Sequence, residues 1–231
     1  MNVRILIDPF TRFVFRGKLN FATKSSIYLL FFFLFQFQIE TVFSQIGHRS
    51  SATATTTSTT LTITKPTGTS QGDVLILNIA QPGSNTAITF SGWTLIRGTT
   101  IGSGGNKNYG AVFYKVAGSA EPSNYSFVLN SSNGVGSISA FSGVDTTNPI
   151  EVSSTPMVAN ASQSTVAATS INTINPNSAV VMMGQAIGNI SSWSGWNTAT
   201  SPGSLSEVVD IANSSASVGV AWAVKATAGT T

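Results

Sequence analysis

Few residues in this chain are able to do polar chemistry, and their spacing decides what they can do. Glu207 and Asp210 are the most closely spaced carboxylates, and glycoside hydrolysis requires two acids flanking the scissile bond. On a regular strand an offset of three sends side chains to opposite faces, so these two are not expected to act together. Glu121 and Glu151 have no identifiable acidic partner. His48 is the single histidine, expected in an unstructured N-terminal stretch, and one such residue builds no Ser-His-Asp arrangement around a buried nucleophile. The chain has no cysteine, which removes thiolate zinc sites and cysteine nucleophiles. Asp145 and Asn148 share a turn-rich segment, but calcium takes six to eight oxygen ligands, usually with several carboxylates close together. A turn held by the Asp145 side chain is the stronger reading. The expectation is a non-enzymatic protein without metal or cofactor.

Binding chemistry falls to the aromatics. Trp93 and Trp196 recur in matching Ser-Gly-Trp phrases, which predicts a shared packing role in the core. Trp222, Phe113, Phe127 and Phe141 are assigned to the core with them. Trp193 has no counterpart in the first phrase, where Thr89-Phe90 precede Ser91. It stands in a polar loop, and with Tyr109 beside a Gly/Asn loop it is the candidate for a ligand-facing ring, because flat apolar rings stack on sugar faces.

The elements that must position these residues read as β-structure. Short apolar runs separated by turn clusters predict strands over 61–64, 74–80, 94–98, 109–116, 125–129, 135–141, 165–173, 179–186, 207–211 and 218–224. Separators such as Pro82-Gly83-Ser84-Asn85 and Ser201-Pro202-Gly203 supply turn chemistry. No long stretch after residue 44 has helical periodicity, so the chain is expected to be an all-β antiparallel sandwich of jelly-roll-like character. Residues 50–60 are a Ser/Thr/Ala tract that is either a flexible lead-in or an edge strand. The sandwich domain is placed at 61–231, after a lead-in at 45–60.

Two stretches share one plan of apolar strand, Ser-Gly-Trp, variable strand, glycine-bearing loop and apolar strand ending near a lysine (Lys115, Lys225). That order predicts an internal duplication. The first copy continues into two more strands and the second stops at the C-terminus, so the sandwich is expected to lack one or two closing strands.

Residues 1–44 have a different character. Arg4, Arg12, Arg16, Lys18 and Lys24 precede the apolar run at 27–35, which is short of the roughly 20 residues that a membrane span needs. Small residues Val42 and Ser44 fit a signal-peptidase site, predicting cleavage at Ser44|Gln45 and no membrane attachment afterwards. An uncleaved anchor is the alternative. The formal charge of +3 belongs to this leader, because residues 45–231 carry six basic and six acidic side chains. No basic stripe remains for phosphates, which argues against nucleic-acid binding.

Several phrases occur in a telling order: Gly72-Asp73-Val74-Leu75, Ser91-Gly92-Trp93-Thr94-Leu95, Phe113-Tyr114-Lys115-Val116-Ala117 with Glu121-Pro122, and the run from Ser139 to Ile150. They resemble a β-sandwich module of secreted bacterial surface proteins and phage tail proteins, over most of the chain from residue 61. The resemblance implies an exported, secreted or cell-surface module with a lectin-like or adhesive role, and it transfers no catalytic residue. The expected partner is a glycan or another extracellular polymer. The rivals are a structural spacer or assembly module, an accessory part of a larger hydrolase, and an ice- or mineral-binding face built from the threonines of 53–60.

Overall fold

The computed structural model describes residues 45–84, 86–102, 107–151, 165–188 and 192–231. The leader expectation over 1–44 lies outside these residues. The described chain is all-β. Its strands are β1 (Gly47–Thr55), β2 (Thr60–Thr64), β3 (Val74–Pro82), β4 (Thr94–Ile101), β5 (Asn108–Val116), β6 (Asn124–Val128), β7 (Val135–Ser142), β8 (Asn172–Thr173), β9 (Ser178–Ile187), β10 (Ser206–Ala212), β11 (Ala216–Lys225) and β12 (Gly229–Thr230).

Antiparallel pairing builds a five-stranded sheet β1-β7-β3-β5-β4, a three-stranded sheet β10-β11-β9, and two small sheets, β2-β6 and β12-β8. The five-stranded sheet is covered on both faces. On one face Leu75, Leu77 and Ile79 of β3, Phe113 of β5 and Ile138 of β7 meet Leu61 and Ile63 of β2 and Tyr125 and Phe127 of β6. On the other, Val135 and Phe141 of β7 and Val74 and Ile76 of β3 meet Val218, Val220 and Trp222 of β11 and Val181 and Met183 of β9. This explains why β3 is apolar at consecutive positions: a strand with a layer on each side has no solvent face. By contrast, β2 and β6 alternate buried and exposed residues, as outer strands should.

The 50–60 tract resolves in favour of an edge strand. β1 pairs with β7 from Gly47 to Thr55 with one irregularity between His48 and Ser50. Arg49 is ion-paired at 2.7 Å with the buried Asp73. The ordered sandwich therefore begins before residue 61, because the backbone of β1 pairs along the edge of β7. His48 is likewise not in an unstructured stretch. Its ring packs on Phe141 and Trp222, and its Nε2 lies 2.9 Å from the Ser51 hydroxyl. The predicted strand at 165–173 reduces to β8, since only Asn172 and Thr173 find a partner, in β12.

The duplicated plan has a structural counterpart. β3, β4 and β5 pair in the order β3-β5-β4, and β9, β10 and β11 in the order β9-β11-β10. The strand between each Ser-Gly-Trp phrase and the return strand carries one β-bulge, at Ile96 between Leu95 and Arg97 and at Val208 between Glu207 and Val209. Aligning the bulges sets Phe113 against Ala221 and Leu77 against Met182. Lys115 and Lys225 then fall out of register, so the shared lysine of the sequence pattern is not a shared position. Lys115 binds Glu121 at 3.1 Å, whereas Lys225 is buried with its Nζ donating to the Ser201 carbonyl.

Candidate functional site

The site is assembled on the face of the three-stranded sheet that looks away from the five-stranded one. Along β11, Val218, Val220 and Trp222 point inward, so Ser217, Gly219 and Ala221 point outward. Gly219 is paired with Gly184 of β9, and the two glycines open a window with no side chain on it. Trp193 lies on this window. A Cβ at Gly184 would stand 2.5–2.7 Å from three of its ring atoms, and a Cβ at Gly219 would stand 2.6 and 2.9 Å from two others. Glycine in a strand marks such a close approach. The indole Nε1 of Trp193 donates to the Ser217 hydroxyl at 3.2 Å, which fixes the ring's direction.

Trp196 lies beside it. The two ring centroids are 5.7 Å apart with planes inclined by 28°. Trp196 Cζ2 also approaches the Gly219 window, so both rings rest on the sheet and together form a shelf. A short hairpin holds Trp196 in place. Leu205 N–H donates to the Trp196 carbonyl, and Thr198 N–H to the Gly203 carbonyl, closing the loop between the Ser-Gly-Trp phrase and β10. Gly92 and Gly195 both have positive φ (77° and 69°), so each phrase turns through a conformation that favours glycine and sets its tryptophan on the equivalent face of its half. The surroundings differ. In the first half that face is covered by β2-β6, and Trp93 packs edge-on against Tyr125 and Phe127. In the second half Trp193 and Trp196 are partly buried, as Trp93 is, and pack on each other and on the sheet instead. Trp196, like Trp93 and Trp222, is partly buried and packs against a core cluster, here that of Val180, Leu205 and Ala221 on the outer face.

The carboxylates correct the sequence reading. Glu207 pairs with Ala221 and Asp210 with Gly219. The bulge at Val208 adds one residue between them, so an offset of three leaves both on the outer face. They lie two β11 positions apart, about 7 Å along the strand. Glu207 Oε2 accepts a 2.6 Å hydrogen bond from Trp196 Nε1, and Asp210 stands next to the position on which Trp193 rests. Both are exposed. Beside the two indoles these exposed carboxylates supply hydrogen-bond acceptors and negative charge.

Of the two ring candidates, Trp193 is partly exposed and Tyr109 is buried. Tyr109 is 5 % exposed and belongs to the core beneath β2-β6. The β5 register turns it to the same face as Ala111 and Phe113, and Gly98 on β4 leaves the space its hydroxyl occupies. Burial raises its pKa, only partly offset by a hydrogen bond with the Ile88 backbone. Phe113, Phe127 and Phe141 are buried, while Trp93 and Trp222 are partly buried and pack against the core clusters. Asp145 accepts the Thr147 N–H at 2.8 Å and so holds a local turn. Glu151 accepts from Ile174 N–H and Ser178 Oγ, bracing the turn into β9. An open groove of about 400 Å³ runs along β6 between Tyr125, Phe127 and Val128 and the Phe90–Trp93 loop.

Strict alternation does not place Glu207 and Asp210 on one face; the bulge does. Its signal was present: Glu207-Val208-Val209-Asp210 breaks the period of two, as does Thr94-Leu95-Ile96-Arg97 at the equivalent place. Isolated glycines inside two strand patterns were the corresponding signal for the window under Trp193. Comparison with family models, with curated proteins and with solved structures finds no match for this chain.

Proposed function

We propose that this protein is a non-catalytic binding module for a glycan or other extracellular polymer, acting at the cell surface or after secretion. The observation that carries the reading is the Trp193–Trp196 shelf: two partly buried indoles on one sheet face, bordered by hydrogen-bond acceptors. Sugar rings present flat C–H faces to such indoles and hydroxyls to such carboxylates. The resemblance to surface-protein sandwich modules and the basic, apolar leader support the same setting. The balanced charge of residues 45–231 supports a partner other than nucleic acid.

The test is a glycan array probed with the purified protein and with Trp193→Ala. Binding to a polysaccharide, weakened about tenfold or more by the substitution with the melting temperature little changed, supports the reading. No binding across a broad array sinks it.

A second reading rests on the comparison of the halves. The face that carries Trp193 corresponds to the face that β2-β6 covers in the first half. In this reading the protein is an assembly module, and a strand pair from a neighbouring domain takes the place of β2-β6. The array then stays blank, and Trp193→Ala impairs assembly instead.

A further inference from the structure

The charge around the indole shelf is one-sided. Glu207 and Asp210 border it on β10, and neither forms an ion pair among the described residues. The only basic side chain of β9, β10 and β11 is Lys225, which is 3 % exposed and donates to the Ser201 carbonyl. The face is thus locally acidic in a region whose charges balance overall. The first half makes the contrast informative: aligned through the bulges, Leu95 and Gly98 stand where the second half places Glu207 and Asp210. A face meant only to receive an apolar layer gains nothing from two carboxylates, since burying them without cationic partners is costly.

Indole faces attract organic cations through the ring quadrupole, and nearby carboxylates strengthen that attraction. The same carboxylates repel uronate, sulfate and phosphate groups. Resting on the glycan reading above, we propose that the shelf selects amino-sugar polymers bearing free ammonium groups, with Trp193 and Trp196 stacking on the sugar and Glu207 and Asp210 taking the ammonium. The Trp196 Nε1 bond to Glu207 Oε2 holds that carboxylate at the rim of the ring and leaves its other oxygen for the ligand.

The test compares glucosamine oligomers with N-acetylglucosamine oligomers of the same length, by calorimetry on the full chain at mildly acidic pH and low salt. The two ligands differ in charge and in the acetyl group, while the backbone is common. Glucosamine oligomers are expected to bind about tenfold more tightly. That advantage should fall to about twofold in high salt and in the double variant Glu207→Gln, Asp210→Asn. Trp193→Ala should weaken both ligands. Equal affinity for the two oligomers, or tighter binding of a uronate oligomer, overturns the selectivity and leaves the glycan reading standing. Binding of neither, with a blank array, overturns both. Free choline supplies the same cation without a sugar. Displacement of glucosamine oligomers by choline supports ammonium capture, and binding of choline alone overturns the amino-sugar assignment.

Discussion

Asn78 of β3 and Gln185 of β9 are joined across two sheets by a 2.6 Å hydrogen bond from Gln185 Nε2 to Asn78 Oδ1. Asn78 in turn donates to the carbonyls of Gly184 and Gly219, and Gln185 to the carbonyl of Ala111. Apolar contacts bring the sheets together without fixing their register, whereas this polar junction fits one alignment only. Asn78→Ala leaves the Gln185 amide without its strongest acceptor in a buried setting. The expected loss is about 2 kcal/mol in denaturant unfolding. A double-mutant cycle with Gln185→Ala should return a coupling of about 1 kcal/mol; additive losses would show that the two side chains act independently.

The glycine window makes a sharper prediction. Gly219→Ala places a methyl group against both indoles, so Trp193 must lift from the sheet. Stability should fall by about 1–3 kcal/mol, and the near-ultraviolet circular dichroism of the tryptophan pair should change. An unchanged spectrum would mean that the rings do not rest on the sheet as described.

Acid dependence should come in two windows. Burial pushes the His48 pKa down from 6.5, opposed in part by a hydrogen bond with the Ser50 backbone. The native state therefore favours neutral imidazole, and stability should decline as pH falls from that value toward the depressed one. Glu121 behaves differently: burial pushes its pKa up, but the Gly118 N–H, the Tyr125 hydroxyl and the Lys115 ammonium together hold it below the ordinary value. Its contribution is complete above the ordinary glutamate range and is lost as pH falls through the depressed value. His48→Gln should flatten the first window and Glu121→Gln the second, as read by urea unfolding at a series of pH values.

Removing residues 45–60 should do more than trim a tail. It strips β1 from β7 and removes the Arg49 partner of Asp73. Amide exchange along β7 should accelerate, and the exposed edge should promote self-association. A truncated protein with native exchange rates in β7 would show that β1 is dispensable.

Much of the fold was legible because half-covered strands write their environment into alternation. Tyr125-Ser126-Phe127 gives β6 its buried and exposed faces, and the run from Val74 to Ala80 announces a strand covered on both sides. What escaped depends on partners distant in sequence. The Thr/Ser tract of β1 is polar enough for a linker and becomes a strand only because β7 offers its edge. Tyr109 sits next to a Gly/Asn loop, yet its direction is decided by the β5 register and by space left at Gly98. The loop around Trp193 shows the ring and its neighbour Trp196, but the glycine floor beneath them comes from Gly184 of β9 and Gly219 of β11.

The bulge at Val208 is a change of parity. Upstream of it, odd-numbered residues of β10 face outward; downstream, even-numbered ones do. Deleting this one residue would leave Glu207 opposite Ala221 and Asp210 opposite Gly219, both outward in a regular ladder. Flattening the bulge with the sequence intact would instead send Glu207 inward if the downstream pairing were kept, and Asp210 inward if the upstream pairing were kept. The placing of the bulge thus decides which side chains of β10 are offered to solvent and which to the interior, with no change in the strand's sequence. Both halves keep the extra residue, so their surfaces differ through the side chains at the equivalent places: Leu95 and Gly98 in one, Glu207 and Asp210 in the other.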